Sequence, residues 1–439
     1  MSATLFREVV LPERDAAATW DVLVEDHQIA EVAHAGQVRV PEAAEVVDGR
    51  GRWLLPGFLD DHVHLREPGL AHKEGYASGT RAAAAGGITT LLEIQNNPPL
   101  MTARAAVEDK LALVRPQSVV NVGVYGSLSM RVGADGVSAE LPEVSEMSDL
   151  VAGYKLFMGC STGGLEIESE ELQVALFQAV AATGHWLFVH AEDQARLREG
   201  LAKYSADGAK SWHLARSAAA EIEACEIALR LGRETGARVH LFHLSSAGGT
   251  DALAQARADG QPATGGTCPH YLYFTHEDTA RLGSLLRVNP SIKTADDRDR
   301  LIEGLRTGDI DCLSTDHAPH TLEEKQRPFA EAPSGIPALD IFMPLCLTLA
   351  QRGLLPLTTV IERAARTPAQ LHGFLRKGRI DEGYDADLVL VDHDTPRPGR
   401  GADHFSKARH TPYEGMELYG WPLRTMVMRQ TVYTRPAGR

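Results

Sequence analysis

Paired cysteines are missing from this chain: Cys160, Cys225, Cys268, Cys312 and Cys346 are scattered, with no CxxC pair. An odd, unpatterned set excludes a disulfide framework and reads as reduced thiols in a cytoplasmic protein. Positive charge is also scarce. Against 59 acidic residues stand 44 Lys and Arg, giving a formal charge of −15 and a pI near 5.6. That argues against nucleic acid or an anionic membrane as partner, because both need basic patches. An anionic small-molecule substrate would need local positive charge from metals or arginines. Long apolar runs are absent, since charge or glycine breaks each one short of a membrane span. The first twenty residues carry charge where a signal peptide needs an apolar stretch. Neither a low-complexity tract nor a short-period repeat occurs.

What is present is ordinary globular composition, 44% hydrophobic and 23% charged over 439 residues. That length fits one large barrel with a small accessory domain. Residues 1–55 read as short strands, Trp20–Glu25, Gln28–Val32 and Ala44–Asp48. The far end reads the same way, with Ala386–Val391 and Leu423–Tyr433. Two β-rich ends suggest a small sandwich built from both termini. The middle alternates differently. Apolar segments recur at Leu59–His64, Ile88–Ile94, Val119–Tyr125, Tyr154–Met158, Trp186–His190, Val239–His243, Ala263–Cys268 and Ile310–Asp316. Helical stretches separate most of them, Ala77–Ala85, Glu170–Thr183 and Ala218–Arg230 being the clearest. Eight strands interleaved with helices is the arithmetic of a (β/α)₈ barrel, although a doubly wound open sheet has the same local pattern. The expected division is 1–55 and 371–439 for the sandwich and 56–370 for the barrel.

The polar residues favour the barrel. His62 and His64 stand two apart at the end of the first strand, on one face. Alone they are either half a metal site or a structural pair. His190 closes the fifth strand, His243 the sixth and Asp316 the eighth, and in a barrel those ends converge on one face. Lys155 closes the fourth strand. An ammonium repels a bound cation in a low-dielectric site. Lys155 therefore either binds substrate, snorkels outward, or is carbamylated by CO₂ to an anionic bridge between two metals. Arg66 follows His64 by two residues, so a continuing strand would put it on the histidines' face. It is either a surface ion pair or a planar fork for a carboxylate.

The run Pro56–Gly69 (PGFLDDHVHLREPG) resembles the dihydroorotase signature of the cyclic amidohydrolases. Ala82–Thr90, Lys155–Gly163, His190-Ala191-Glu192, Cys268–Leu272 and Ser314–Lys325 extend the resemblance over most of the chain. It implies a barrel carrying two Zn²⁺ per subunit, bridged by N6-carboxylated Lys155 and a hydroxide. His62, His64 and Asp316 would hold one metal, His190 and His243 the other. Manganese or cobalt could occupy the same ligands. Arg66, Asn96 and His320 would hold the carboxylate of dihydroorotate, and Asn289 would contact the ring. Asp316 would shuttle the proton as the ring opens to N-carbamoyl-aspartate, a step of pyrimidine synthesis. Taken alone, Asn96 and Asn289 could be turn formers beside prolines, and His320 a loop histidine without a role. Two departures stand out. Ile94-Gln95-Asn96 replaces the usual Met-Pro-Asn, and Glu74-Gly75-Tyr76 with Gly79-Thr80-Arg81 is similar to allantoinases, which usually lack the arginine. The alternatives are therefore an allantoinase, a dihydropyrimidinase or hydantoinase, or a non-catalytic scaffold for aspartate transcarbamoylase. A homodimer is expected, and the loop Arg287–Thr294 is the expected lid.

Overall fold

The computed structural model describes residues 3–132, 139–161 and 164–436, so Thr162 and Gly163 of the Lys155–Gly163 motif lie outside the described residues. The middle of the chain forms the barrel. Its strands are Phe58–Val63, Ile88–Glu93, Asn121–Val124 with Gly126–Ser127, Tyr154–Phe157, Trp186–His190, Arg238–Leu241, Ala263–Thr267 and Cys312–Leu313. Neighbours pair in parallel in chain order. A parallel bridge between Val63 and His317 closes the ring, with His64 N–H donating to His317 O at 2.8 Å. Asp60 locks this seam: it accepts Thr315 N–H at 3.0 Å and Thr315 Oγ1–H at 2.5 Å. Closure rules out the open-sheet alternative. Leu59, Leu92, Tyr125, Phe188 and Phe242 fill the interior, so the barrel is a packed core rather than a channel.

The helices begin and end where local chemistry dictates. Ser169 caps Glu170–Thr183 by accepting Leu172 N–H, and Gly184 at φ 75° ends it. Ser217 and Gly236 do the same for Ala218–Thr235, five residues longer at its C-terminus than the alanine-rich stretch alone suggests. Between helix Tyr76–Ala85 and the second strand, a Cβ on Gly86 would lie 1.8 Å from Leu339 O. Only glycine lets that turn pack there.

Both ends of the chain build one further assembly. Ala3–Leu11 pairs with Asp15–Glu25 and Glu45–Asp48, and meets Trp53–Pro56 through Val10. Trp53–Pro56 pairs antiparallel with Leu388–Asp392, which pairs with Trp421–Val427. Phe6, Val9, Val22, Leu54, Leu388 and Met426 share the core between the two halves. The C-terminal stretch Leu423–Tyr433 is two strands, not one: Trp421–Val427 and Gln430–Thr434 are joined by a turn at Met428 and Arg429, both at positive φ. An apolar run gives no sign of such a hairpin when its turn lacks Gly or Asn. Ala3–Leu11 and Trp53–Pro56 add strands that alternation alone did not single out. Among the described residues, no helix is long and apolar enough to cross a membrane.

Candidate metal centre and active site

The convergence expected of the strand ends is present. His62 Nε2 and His64 Nε2 lie 3.4 and 3.2 Å from Asp316 Oδ1. These three buried groups could hold one cation. His64 Nδ1–H donates to Ile94 O at 2.8 Å, which leaves its Nε2 lone pair facing the aspartate. Across the mouth, His190 Nδ1 and His243 Nε2 come within 3.0 Å. The His62 and His243 rings, 5.1 Å apart, bring the two pairs side by side.

Burial, then the nearby Lys155, holds the His62 imidazole well below its ordinary pKa. His243 is held well below by burial and His190, and His190 is lowered chiefly by burial. All three are therefore neutral lone-pair donors, the form a metal requires. Two of the residues have costly backbones: His243 and Asp316 have φ of 40° and 45°. Non-glycine residues persist in that region where the surroundings force them, often at functional sites.

Lys155 is the second of four residues in its strand, not its last. Its ammonium is buried, without a hydrogen-bond partner, 4.4 Å from the Phe242 ring centroid and 4.9 Å from that of Phe157. Burial pushes its pKa down to about 7. It does not snorkel outward. An orphaned, readily neutral amine beside these histidines is free of the charge that would repel a cation held at His62, His64 and Asp316.

Arg66 reaches the site by a different route from the one expected. The first strand ends at Val63, and Arg66 turns back at φ 66°. Its guanidinium is buried, not a surface ion pair, and Nη1 donates to Asn96 Oδ1 at 2.7 Å. His320 Nε2 lies 3.3 Å from Arg66 Nη2 and 3.0 Å from Ser334 O, and its Nδ1 lies 3.1 Å from Lys73 Nζ. One tautomer satisfies it: Nε2–H donates to Ser334, and Nδ1 accepts from Lys73. Burial, with Arg66, Lys73 and Lys325 nearby, drives the His320 pKa far down, so the ring is neutral. Arg66 and His320 stand behind Asn96 rather than on the cleft wall. Asn96 and Asn289 line the cleft with His62, His64, His190, His243 and Asp316, and Asn289 Oδ1 has no partner. Val288 and Asn289 bring the expected lid segment against this cleft, which encloses only about 20 Å³.

The supporting residues were not assigned from sequence. His190 Nε2–H donates to Glu192 Oε2 at 2.9 Å. Arg216 grips both Glu192 oxygens and also donates to Cys160 O at 2.7 Å. Burial alone would raise the Glu192 pKa, but Arg216 and His190 hold it down to about 2. This carboxylate fixes the His190 tautomer with Nδ1 toward the cleft. The His-Ala-Glu spacing was the available signal. Arg216, 24 residues further on, offered none.

The residue pattern on these strand ends matches the family model described as amidohydrolase family over residues 53–432. The chain belongs to the amidohydrolase family. Within that family it is 37% identical to a dihydroorotase of Halobacterium salinarum, over 94% of this chain and 95% of the relative. It is 34% identical to a dihydroorotase of Methanosarcina mazei, over 90% and 87%. Among solved structures, an L-hydantoinase (dihydropyrimidinase) from Arthrobacter aurescens superposes with a TM-score of 0.89 at 27% identity, covering 98% of this chain and 96% of that one. This amidohydrolase is an enzyme of the metal-dependent, cyclic-amide-hydrolysing kind.

Proposed function

We propose that the chain is a dihydroorotase, which reversibly hydrolyses L-dihydroorotate to N-carbamoyl-L-aspartate in the cytoplasmic synthesis of pyrimidines. The observation that carries this reading is buried Arg66, which stands behind the cleft wall and donates to Asn96 on that wall. Asp316, Glu93, Glu324 and Glu74 offset part of the cost of burying this guanidinium, and its fork suits a substrate carboxylate. The dihydroorotases among its relatives support the same substrate.

In this reading His62, His64 and Asp316 would hold one divalent ion, taken as zinc, and His190 and His243 would hold the other. Lys155, as a carbamate, would supply them an anionic ligand. Neutral Lys155 adds to CO₂ through Nζ and releases one proton, which turns a repelling cation into an anionic ligand. Bound metals would polarise the ring amide carbonyl and lower the pKa of water. Arg66 and Asn96 orient the substrate carboxylate, neutral His320 braces that pocket, and Asn289 offers its free Oδ1 to a ring N–H. Asp316, on a turn held by Thr315 and Asp60, takes the proton from the attacking water and passes it to the departing ring nitrogen. A cleft of about 20 Å³ holds little more than a water molecule. In this reading the Val288–Asn289 segment and the Ser334–Gly335 turn, which line that cleft, would part to admit a six-membered ring.

The L-hydantoinase likeness makes a carboxylate-free cyclic amide the second reading, with allantoin a third ring to include. One assay separates them: ring opening of L-dihydroorotate, hydantoin, dihydrouracil and allantoin, with and without chelator. Chelator-sensitive turnover of dihydroorotate is expected. Turnover of the other rings without it would overturn the role given to Arg66.

A further inference from the structure

A second cavity, about 200 Å³, lies on the flank of helix Tyr76–Ala85 and shares no lining residue with the metal cleft. Its walls come from three parts of the chain: the turn Asp340–Ile341, the crossing segment Arg397–Phe405, and the C-terminal hairpin with Trp421, Tyr433 and Arg435. We propose that this cavity binds a nucleoside monophosphate, a flat aromatic base joined through its ribose to one phosphate.

Three features specify that chemistry. Arg397, Arg400 and Arg435 converge on the cavity in a protein whose net charge is −15. Asp403 also lines the cavity and Arg397 lies 3.8 Å from Asp392, so the charge is partly balanced, but three arginine forks on one cavity suit phosphate oxygens. Of the two acids on the wall, Asp340 and Asp403, buried Asp340 is turned to other work, since its Oδ1 accepts Phe405 N–H at 2.6 Å. The second feature is aromatic surface. Trp421, Tyr433 and Phe405 stand around the same space, with the Arg435 guanidinium 4.7 Å from the Trp421 ring centroid and the Phe405 and Tyr433 rings edge-to-face at 6.2 Å. Phe405 is 42% exposed, a large ring left open at the cavity's edge. Aromatic side chains beside arginines suit a ligand that joins a flat base to a phosphate. The third is His404. Its side chain is 3% exposed and lines the cavity, yet neither ring nitrogen has a hydrogen-bond partner. The nearest acid oxygen, on Asp340, is 3.8 Å from Nδ1. A buried imidazole with both nitrogens unsatisfied is costly unless something polar enters beside it.

The test is calorimetric titration of the full chain with each of the four ribonucleoside 5′-monophosphates, and with uridine, adenosine and inorganic phosphate alone. Saturable binding of at least one nucleotide below about 1 mM is expected, with the separate halves at least roughly tenfold weaker. Arg400→Ala and Phe405→Ala alter exposed side chains and should each weaken binding by roughly tenfold. Quenching of fluorescence that is lost in Trp421→Phe gives a second readout. Arg66→Lys should leave nucleotide binding unchanged, which places it away from the metal cleft. No saturation by any nucleotide overturns the proposal. So does binding that both surface variants leave intact, or binding that Arg66→Lys abolishes.

Discussion

Replacing Arg66 with lysine tests the proposed substrate most sharply. The β-carbon and the positive charge are retained, so the backbone cost at φ 66° is the same in both proteins and cancels. What is lost is the fork. Arg66 spends Nη1 on Asn96 at 2.7 Å and sets Nε 3.3 Å from Pro319 O, so it holds the wall of the pocket and still has N–H groups for a carboxylate. Lysine's point charge cannot do both from one atom. Losing one charge-assisted hydrogen bond to the substrate costs about 1.5–3 kcal/mol, or roughly 10- to 150-fold in kcat/KM. Steady-state ring opening of L-dihydroorotate should fall by that factor, while any residual turnover of dihydrouracil, which has no carboxylate, should change less than about threefold. Metal content and Tm measured alongside separate this from a folding defect. Equal losses for both rings, or undiminished dihydroorotate turnover, would refute the carboxylate anchor.

Four further outcomes are expected. Glu192→Gln removes the negative charge and one of the two acceptor oxygens that His190 and Arg216 share, and leaves Arg216 buried without its counter-charge. Metal affinity should drop about 10- to 100-fold in a chelator competition, and unchanged affinity would show that His190 does not depend on it. Lys155→Ala should lose bound metal by elemental analysis, and the wild-type protein should carry the mass of one added CO₂ under native conditions. Asp316→Asn should lower kcat by about 10²- to 10⁴-fold, and near-wild-type turnover with metal retained would remove it from the proton path. Burial holds His240 down to about 3 and His270 to about 4, against 6.5 when exposed. As pH falls below 6.5 the unfolded chain takes up protons that the folded chain refuses. Stability of the metal-free protein should therefore fall towards pH 4, by about 1.4 kcal/mol per unit for each such histidine. Urea midpoints that stay flat over that window would contradict the burial argument.

Much of the barrel was legible because its signals are local. An apolar run five to seven residues long, ending in His or Asp and followed by a helical stretch, says where a strand stops and which end carries chemistry. Hence the fifth strand, Trp186–His190, and the helix Glu170–Thr183 emerge with the bounds read from sequence. The pairing of His62 with His64 needed only the two-residue period of a strand. Other features depended on where the chain turns back. Asp316 lies three residues beyond a strand reduced to Cys312–Leu313, and what presents it is the seam made by Asp60 and the Val63–His317 bridge. Arg66 was expected on the histidines' face by strand alternation, yet it reaches the pocket through a left-handed turn that alternation cannot describe. Lys155 was placed in the right strand at the wrong position, and only its burial between Phe157 and Phe242 tells that its amine has no partner.

The sequence by itself thus determined which residues could ligate metal and roughly where they sit along the strands, since residue type and two-residue spacing are properties of neighbouring positions. Tertiary structure alone decided what stands behind them. Glu192 with Arg216, His320 with Lys73, and the His404 cavity unite residues tens to hundreds of positions apart, and their charges and orphaned nitrogens acquire meaning only once folding removes the water between them.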